Sequence, residues 1–210
     1  MSEVDYAIIP LFSTPIYIKE YVPISDEENN TLKSLDYERM ETNNGYFSKD
    51  KYVLENSKLV NLKEHILDCV NEFTFGELKV AKNIEFYITN SWTTKHKKFD
   101  WAQPHAHTNS LLSGVFYFQV DEKSGKLWFQ KESNHHTTFP MHIDLDVTEY
   151  NILNSKAWAF TPKNNQLYLF PPWVKHNVND NESDELRYSL AFNIYLKGKI
   201  GKNEFELEIK

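Results

Sequence analysis

A chain of 210 residues that is 40% apolar and 25% charged has the make-up of a globular protein and excludes a disordered or collagen-like one. Its 23 Lys and Arg against 30 Asp and Glu give a net charge of -7, so nothing broad favours a phosphate backbone, and nucleic acid is not an expected partner. The single cysteine, Cys69, excludes an intramolecular disulfide, and no apolar run approaches a membrane span; with no signal-peptide pattern at the start, a reducing, cytoplasmic setting is expected.

Residues 7–22 read as one or two short strands broken at Pro10 and Pro15. Ser25 and Glu28 form a capping box, which predicts a short helix from Asp26 to about Asp36. Residues 40–52, with Asn43-Asn44-Gly45, read as a loop. Leu59, Leu62, Ile66, Val70 and Phe73 recur at three- and four-residue steps, predicting a helix from Ser57 to about Phe75 with Gly76 as its stop. Cys69 falls on its apolar side and is expected in the core.

After Val80 the pattern changes. Short aromatic and β-branched runs at 84–94, 111–120, 126–131, 137–147, 156–161, 166–170 and 184–197 alternate with turn-forming residues, as in a sandwich or barrel. A last strand, 203–209, is expected to join an edge. The fold class is therefore mainly β with N-terminal helices (α+β). It is read as a single domain over 1–210, in which a section of about residues 1–80 packs on a β core of about 81–210.

Three features carry possible chemistry. In Pro104-His105-Ala106-His107 the two imidazoles lie two residues apart, so an extended backbone projects them to one side, within reach of one metal ion. His176 follows the double-proline turn Phe170-Pro171-Pro172-Trp173-Val174-Lys175 and starts the next strand. In a barrel it can face the first pair. The stretch 186–196 alternates strictly. Leu186, Tyr188, Leu190, Phe192, Ile194 and Leu196 make a core face, and Arg187, Ser189, Ala191, Asn193 and Tyr195 make a polar face suited to a cavity wall. Arg187 offers a bidentate fork for a carboxylate, and Ser189 adds a hydroxyl. Each piece also has a plainer reading: loop histidines, a turn histidine, or a surface ion pair.

In this order, His105-Ala106-His107, Ser113-Gly114-Val115-Phe116-Tyr117-Phe118, the 169–178 stretch and Arg187-Tyr188-Ser189-Leu190-Ala191-Phe192-Asn193 resemble the iron(II)- and 2-oxoglutarate-dependent oxygenase superfamily. Small oxygenases of bacteria and phages related to prolyl hydroxylases are the nearest in pattern. The resemblance spans about residues 84–197. It implies a double-stranded β-helix, the cupin-like jelly-roll barrel. It also implies Fe(II) held by His105, His107 and His176, with 2-oxoglutarate and oxygen as cosubstrates and ascorbate as reductant. Arg187 would take the far carboxylate, with Ser189 and Tyr117 beside it and Asn90 toward the other end. The implied activity is hydroxylation of a protein side chain or a small metabolite. One departure stands out: His107 occupies the place of the superfamily's usual Asp or Glu. Either His107 is itself a ligand, which makes zinc more competitive, or it stands behind a water. A three-His zinc hydrolase or hydratase and a noncatalytic jelly-roll binding or structural protein are the competing readings.

Of the remaining residues, Ser113-Gly114 is expected to mark a close backbone approach or a bulge. Lys95-His96-Lys97-Lys98 and His135-His136 read as solvated loop, and Asp144 and Asp146 as solvated acids. His65 is placed on a helix face and His142 on a strand. Trp101 and Trp173 flank the candidate ligands in sequence and are candidates for the cavity mouth. A homodimer through edge strands is the expected association.

Overall fold

The computed structural model describes residues 6–41, 44–131 and 145–210. Eight strands build the barrel: β4 (Ile84–His96), β5 (Ala102–His105), β6 (Leu112–Gln119), β7 (Leu127–Gln130), β8 (Ala157–Phe160), β9 (Gln166–Phe170), β10 (Lys175–Val178) and β11 (Arg187–Ile200). They divide between two antiparallel sheets. One runs β9-β6-β11-β4 and the other β5-β10-β7-β8. The chain crosses repeatedly from one sheet to the other, which is the jelly-roll arrangement expected. The larger sheet is extended by β1 (Tyr17–Lys19) beside β9, and by the hairpin β2 (Tyr37–Arg39) and β3 (Tyr46–Ser48) beside β4. The hairpin corrects the reading of 40–52 as loop: Asn44 and Gly45 turn a short hairpin instead. The last strand, β12 (Leu207–Ile209), is shorter than expected and pairs with the end of β11.

The capping box forms as predicted at the start of α1 (Asp26–Lys33), which ends three residues early at Ser34. Glu28 does more than cap. Its second carboxylate oxygen accepts the Leu62 amide at 2.8 Å, tying α1 to the start of the second helix. That helix, α2 (Val60–Asn71), is preceded by a 3₁₀ turn at Ser57–Leu59 and continued by a wide helical turn at Glu72–Glu77, so the helical stretch passes through Gly76, the expected stop, and is capped at Leu78.

Two apolar clusters lie on opposite faces of the larger sheet. Leu62, Ile66, Cys69 and Val70 of α2 pack on Leu190, Phe192, Ile194 and Leu196 of β11. Inside the barrel, Val115, Tyr117, Phe129, Tyr168 and Phe170 form the second cluster. Burying one such Leu or Phe is worth about 1.5–3 kcal/mol. A Cβ at Gly114 of β6 would come within 2.4 Å of the Phe192 ring and 2.8 Å of Leu169, so the close approach read from Ser113-Gly114 is real. Where β4 meets β11, Asn193 pairs with Asn90 but Ile194 pairs with Ile88. Thr89 is the extra residue of a bulge. It reverses the facing of β4, so that Asn90 lines the cavity while Ile88 joins the outer core.

The expected strand over 137–147 falls largely outside the described residues, as do His135, His136, His142 and Asp144; 145–147 are not strand. Among the described residues, no helix is long and apolar enough to cross a membrane.

Candidate active site

The antiparallel pairing of β10 and β5 sets His176 directly opposite His105. Their rings lie 4.3 Å apart, centroid to centroid. His107 lies two residues past the end of β5. Its amide donates to the Pro172 carbonyl at 2.9 Å, which holds this segment against the double-proline turn. Its ring stacks on His105 at 5.4 Å and stands 5.1 Å from His176. The potential ligand atoms of all three lie within 4.8 Å of one another. His107 thus stands within the cluster and not behind it.

Each ring is oriented from behind. Nδ1 of His105 lies 2.9 Å from the Gln103 carbonyl, that of His176 2.9 Å from the Val174 carbonyl, and that of His107 2.6 Å from Asn193 Oδ1. A carbonyl oxygen can only accept, so each Nδ1 carries the proton and each Nε2 keeps its lone pair free. Asn193 is itself fixed. Its Oδ1 also accepts from the Ser113 hydroxyl at 2.8 Å, and its amide donates to Asn90 Oδ1 at 2.9 Å. Burial and the neighbouring imidazoles push His176 down to about 3, and burial lowers His107 as well. His107 and His176 are therefore held in the neutral form, which is the state a metal requires.

Above the triad opens a cavity of about 510 Å³. Tyr52, Trp92, Asn90, Thr108 and Asn109 contribute to its wall, together with His105, His107 and Asn193. Trp92 lies against His107 with centroids 5.8 Å apart. The aromatic residues of this mouth are thus Trp92 and Tyr52. Trp101 lines a separate groove with Asn177 and Asn179, and Trp173 is exposed. Neither was distinguishable by sequence proximity alone. Trp92 shares strand parity with Asn90, which was the available signal.

Toward the closed end of the barrel, the start of β11 buries Arg187 to 1% exposure. Its Nη1 donates to the carbonyls of Ser124 at 2.5 Å and Asn179 at 3.0 Å, while its Nη2 is buried with no partner. Burial lowers its pKa to about 10, so it remains a cation. The plainer reading of Arg187 as a surface ion pair is excluded. Tyr117 is buried in the same interior. Burial raises its phenol to about 12 against the pull of Arg187, so it keeps its proton. Ser189 and Thr94, paired across β11 and β4, bring their hydroxyls within 2.7 Å. Asn90 sits at the other end, on Asn193 and at the cavity wall.

His96 corrects the reading of the 95–98 run as solvated loop. β4 continues to His96, which pairs with Arg187 and is 2% exposed. The cluster of lysines around it disguised an inward-facing strand position.

Residues 90–193 match the sequence family described as "Putative 2OG-Fe(II) oxygenase". A search of the curated proteins gives no match. Among solved structures, the chain is similar to an oxidoreductase of the 2OG-Fe(II) oxygenase family from Burkholderia pseudomallei at 14% identity. That alignment has a TM-score of 0.57 and covers 85% of this chain and 83% of the other. HygX from Streptomyces hygroscopicus, solved with nickel and 2-oxoglutarate bound, aligns at 11% identity and TM-score 0.60 over 86% and 82%. The non-heme alpha-ketoglutarate-dependent epimerase SnoN from nogalamycin biosynthesis aligns at 12% identity and TM-score 0.61 over 88% and 81%. The matched segment runs from Asn90 to Asn193 and contains the three histidines and Arg187, on a barrel whose likeness extends over most of the chain. Residues 90–193 thus resemble the 2OG-Fe(II) oxygenases in sequence, and the barrel shares the fold of those solved structures.

Proposed function

We propose that this chain is an iron(II)- and 2-oxoglutarate-dependent hydroxylase, in which His105, His107 and His176 hold the metal and Arg187 anchors the far carboxylate of the cosubstrate. One observation carries this reading: the same barrel has three imidazoles with free Nε2 atoms at one end and a buried guanidinium with an unpartnered Nη2 at the other. A buried cation without a carboxylate is costly, and a bound dicarboxylate relieves that cost.

The donor set fits the group. Three neutral imidazoles leave both charges of a divalent ion uncompensated, and a dianionic keto acid supplies the balance. Iron(II) with 2-oxoglutarate supplies oxygen activation, with the cosubstrate ending as succinate and carbon dioxide. The chain's own contribution is placement. Asn193 holds the His107 ring in the tautomer that presents Nε2. Arg187 and the protonated Tyr117 phenol offer donors to the far carboxylate, and the Ser189–Thr94 hydroxyl pair lies one step further along β11. Trp92 and Tyr52 border the space left for a prime substrate, a protein side chain or a small metabolite. Positioning of this kind, with water kept from the inner barrel, is the protein's share in cofactor chemistry.

The test is succinate formation on adding iron(II), ascorbate and 2-oxoglutarate, which proceeds slowly without any prime substrate. It is accompanied by calorimetric binding of 2-oxoglutarate. Absence of both overturns the reading. The all-histidine donor set also favours a second reading, a zinc hydrolase or hydratase, because zinc accepts three imidazoles and a water. Stoichiometric zinc in protein purified without oxygen, with no recovery of activity on iron, supports that alternative.

A further inference from the structure

At the closed end of the barrel, unpartnered polar atoms accumulate on one face. His96 on β4 and Arg187 on β11 are directly paired residues of neighbouring strands, so their side chains project to the same side of the sheet. That side is the barrel interior, because the next pairs along it are Thr94 with Ser189 and Trp92 with Ala191. Both are buried, at 2% and 1% exposure. Neither ring nitrogen of His96 has a hydrogen-bond partner, and Arg187 Nη2 has none either. Buried polar atoms are almost always satisfied, so three of them on one strand pair call for a ligand.

The surroundings hold the ring in place. Gly45, at the turn of the β2–β3 hairpin, packs so closely that an added Cβ would lie 2.6 Å from His96 Cδ2 and 2.8 Å from its Nε2. Asn181 Nδ2 donates to the His96 carbonyl at 3.2 Å and fixes the backbone. The imidazole can therefore offer a ring N–H at a fixed place beside the guanidinium.

We infer that His96 is a second anchor for the far carboxylate of 2-oxoglutarate, donating a ring N–H to it beside Arg187 Nη2. This rests on the reading proposed above and adds to it the origin of selectivity for a dicarboxylate. Burial beside Arg187 lowers the imidazole well below its ordinary value, so before binding it is a neutral donor and adds no second positive charge.

The experiment compares two probes on Zn(II)-loaded protein by calorimetry: 2-oxoglutarate, and 2-oxopentanoate, which lacks the far carboxylate. We expect His96→Phe to reduce the preference for 2-oxoglutarate by about tenfold or more, the scale of a hydrogen bond to a charged group. His96→Gln, which keeps an N–H donor, recovers part of it. An unchanged preference in His96→Phe overturns the inference while leaving the proposed activity standing. Failure of the unsubstituted protein to bind 2-oxoglutarate at all overturns both. Because a variant at so buried a position can fail to fold, the ring nitrogens of His96 are also followed by ¹⁵N NMR in the unsubstituted Zn(II) protein. They should shift with 2-oxoglutarate and stay in place with 2-oxopentanoate; equal behaviour with both overturns the inference.

Discussion

Along β11, Leu190, Phe192, Ile194 and Leu196 look outward onto α2 and belong to one apolar cluster. Their neighbours Arg187, Ser189 and Asn193 look into the barrel, where each meets a polar atom of another strand or turn. The two faces are made by the same fourteen residues, Arg187–Ile200, at the same depth in the protein, yet they hold different kinds of energy. The outward face is complete as it stands. The inward face is incomplete: Arg187 Nη2 lacks a partner, and the ring held by Asn193 keeps a lone pair for something not protein. Stability and ligand binding can therefore be changed one without the other, by moving a single position along the strand.

The largest separation should come from the outward face. Leu190→Ala leaves a cavity at a fully buried site and is expected to cost about 2–5 kcal/mol, read as a shifted urea midpoint. Calorimetry on the folded fraction should show 2-oxoglutarate affinity unaltered. Loss of both together would erase the distinction between the faces. Arg187→Met, one face over, should do the reverse. It removes the buried cation and keeps the volume, so the unfolding midpoint should hold or rise, while 2-oxoglutarate affinity falls on the order of 100-fold or more. A smaller effect is expected at Asn193→Ala. The His107 ring loses its acceptor, and metal affinity should fall about 10–100-fold by competition with a coloured chelator. An unaltered metal affinity would show that the ring needs no such support.

The last effect lies in pH. With metal removed, His96, His107 and His176 all resist protonation in the folded state, chiefly through burial. The unfolded chain takes those protons near pH 6.5 and therefore binds more of them. Stability should fall as pH drops below about 6.5, by about 1.4 kcal/mol per pH unit for each such histidine, until the folded-state value is reached. His96→Phe should flatten the slope by one group's share. An unchanged slope would place a charged or solvated imidazole at that position.

What was legible in the sequence follows the same division. Strict alternation over 186–196 exposed both faces of β11 before any fold was known, and Pro104-His105-Ala106-His107 with His176 marked the three rings the barrel brings together. The helical steps from Leu59 to Phe73 located α2, although its last turn is wider than an α-helix. What stayed hidden depends on registers that no local pattern encodes. His96 sits among three lysines, and only its pairing with Arg187 shows that it faces inward. Trp92 was one of five tryptophans until β4 carried it onto His107. The β2–β3 hairpin has strands of three residues each, too short for periodicity to distinguish from loop. Asn193 was legible as a polar residue on the cavity face. Its hold on His107 required the loop after β5 to fold back to the double-proline turn.

The extra residue Thr89 has a consequence for how this barrel can vary. It acts as a phase shift in the strand's alternation. On one side of it β4 serves the cavity with Asn90 and Trp92, and on the other it serves the α2 side with Ile88 and Phe86. Straightening the ladder with Thr89 still in it would place Ile88 and Phe86 on the same face as Asn90 and Trp92, turning an apolar pair away from the α2 side. Lineages of this chain could therefore lose Thr89 itself with both faces kept, whereas a one-residue gain or loss elsewhere in β4 would have to be matched by a compensating slip.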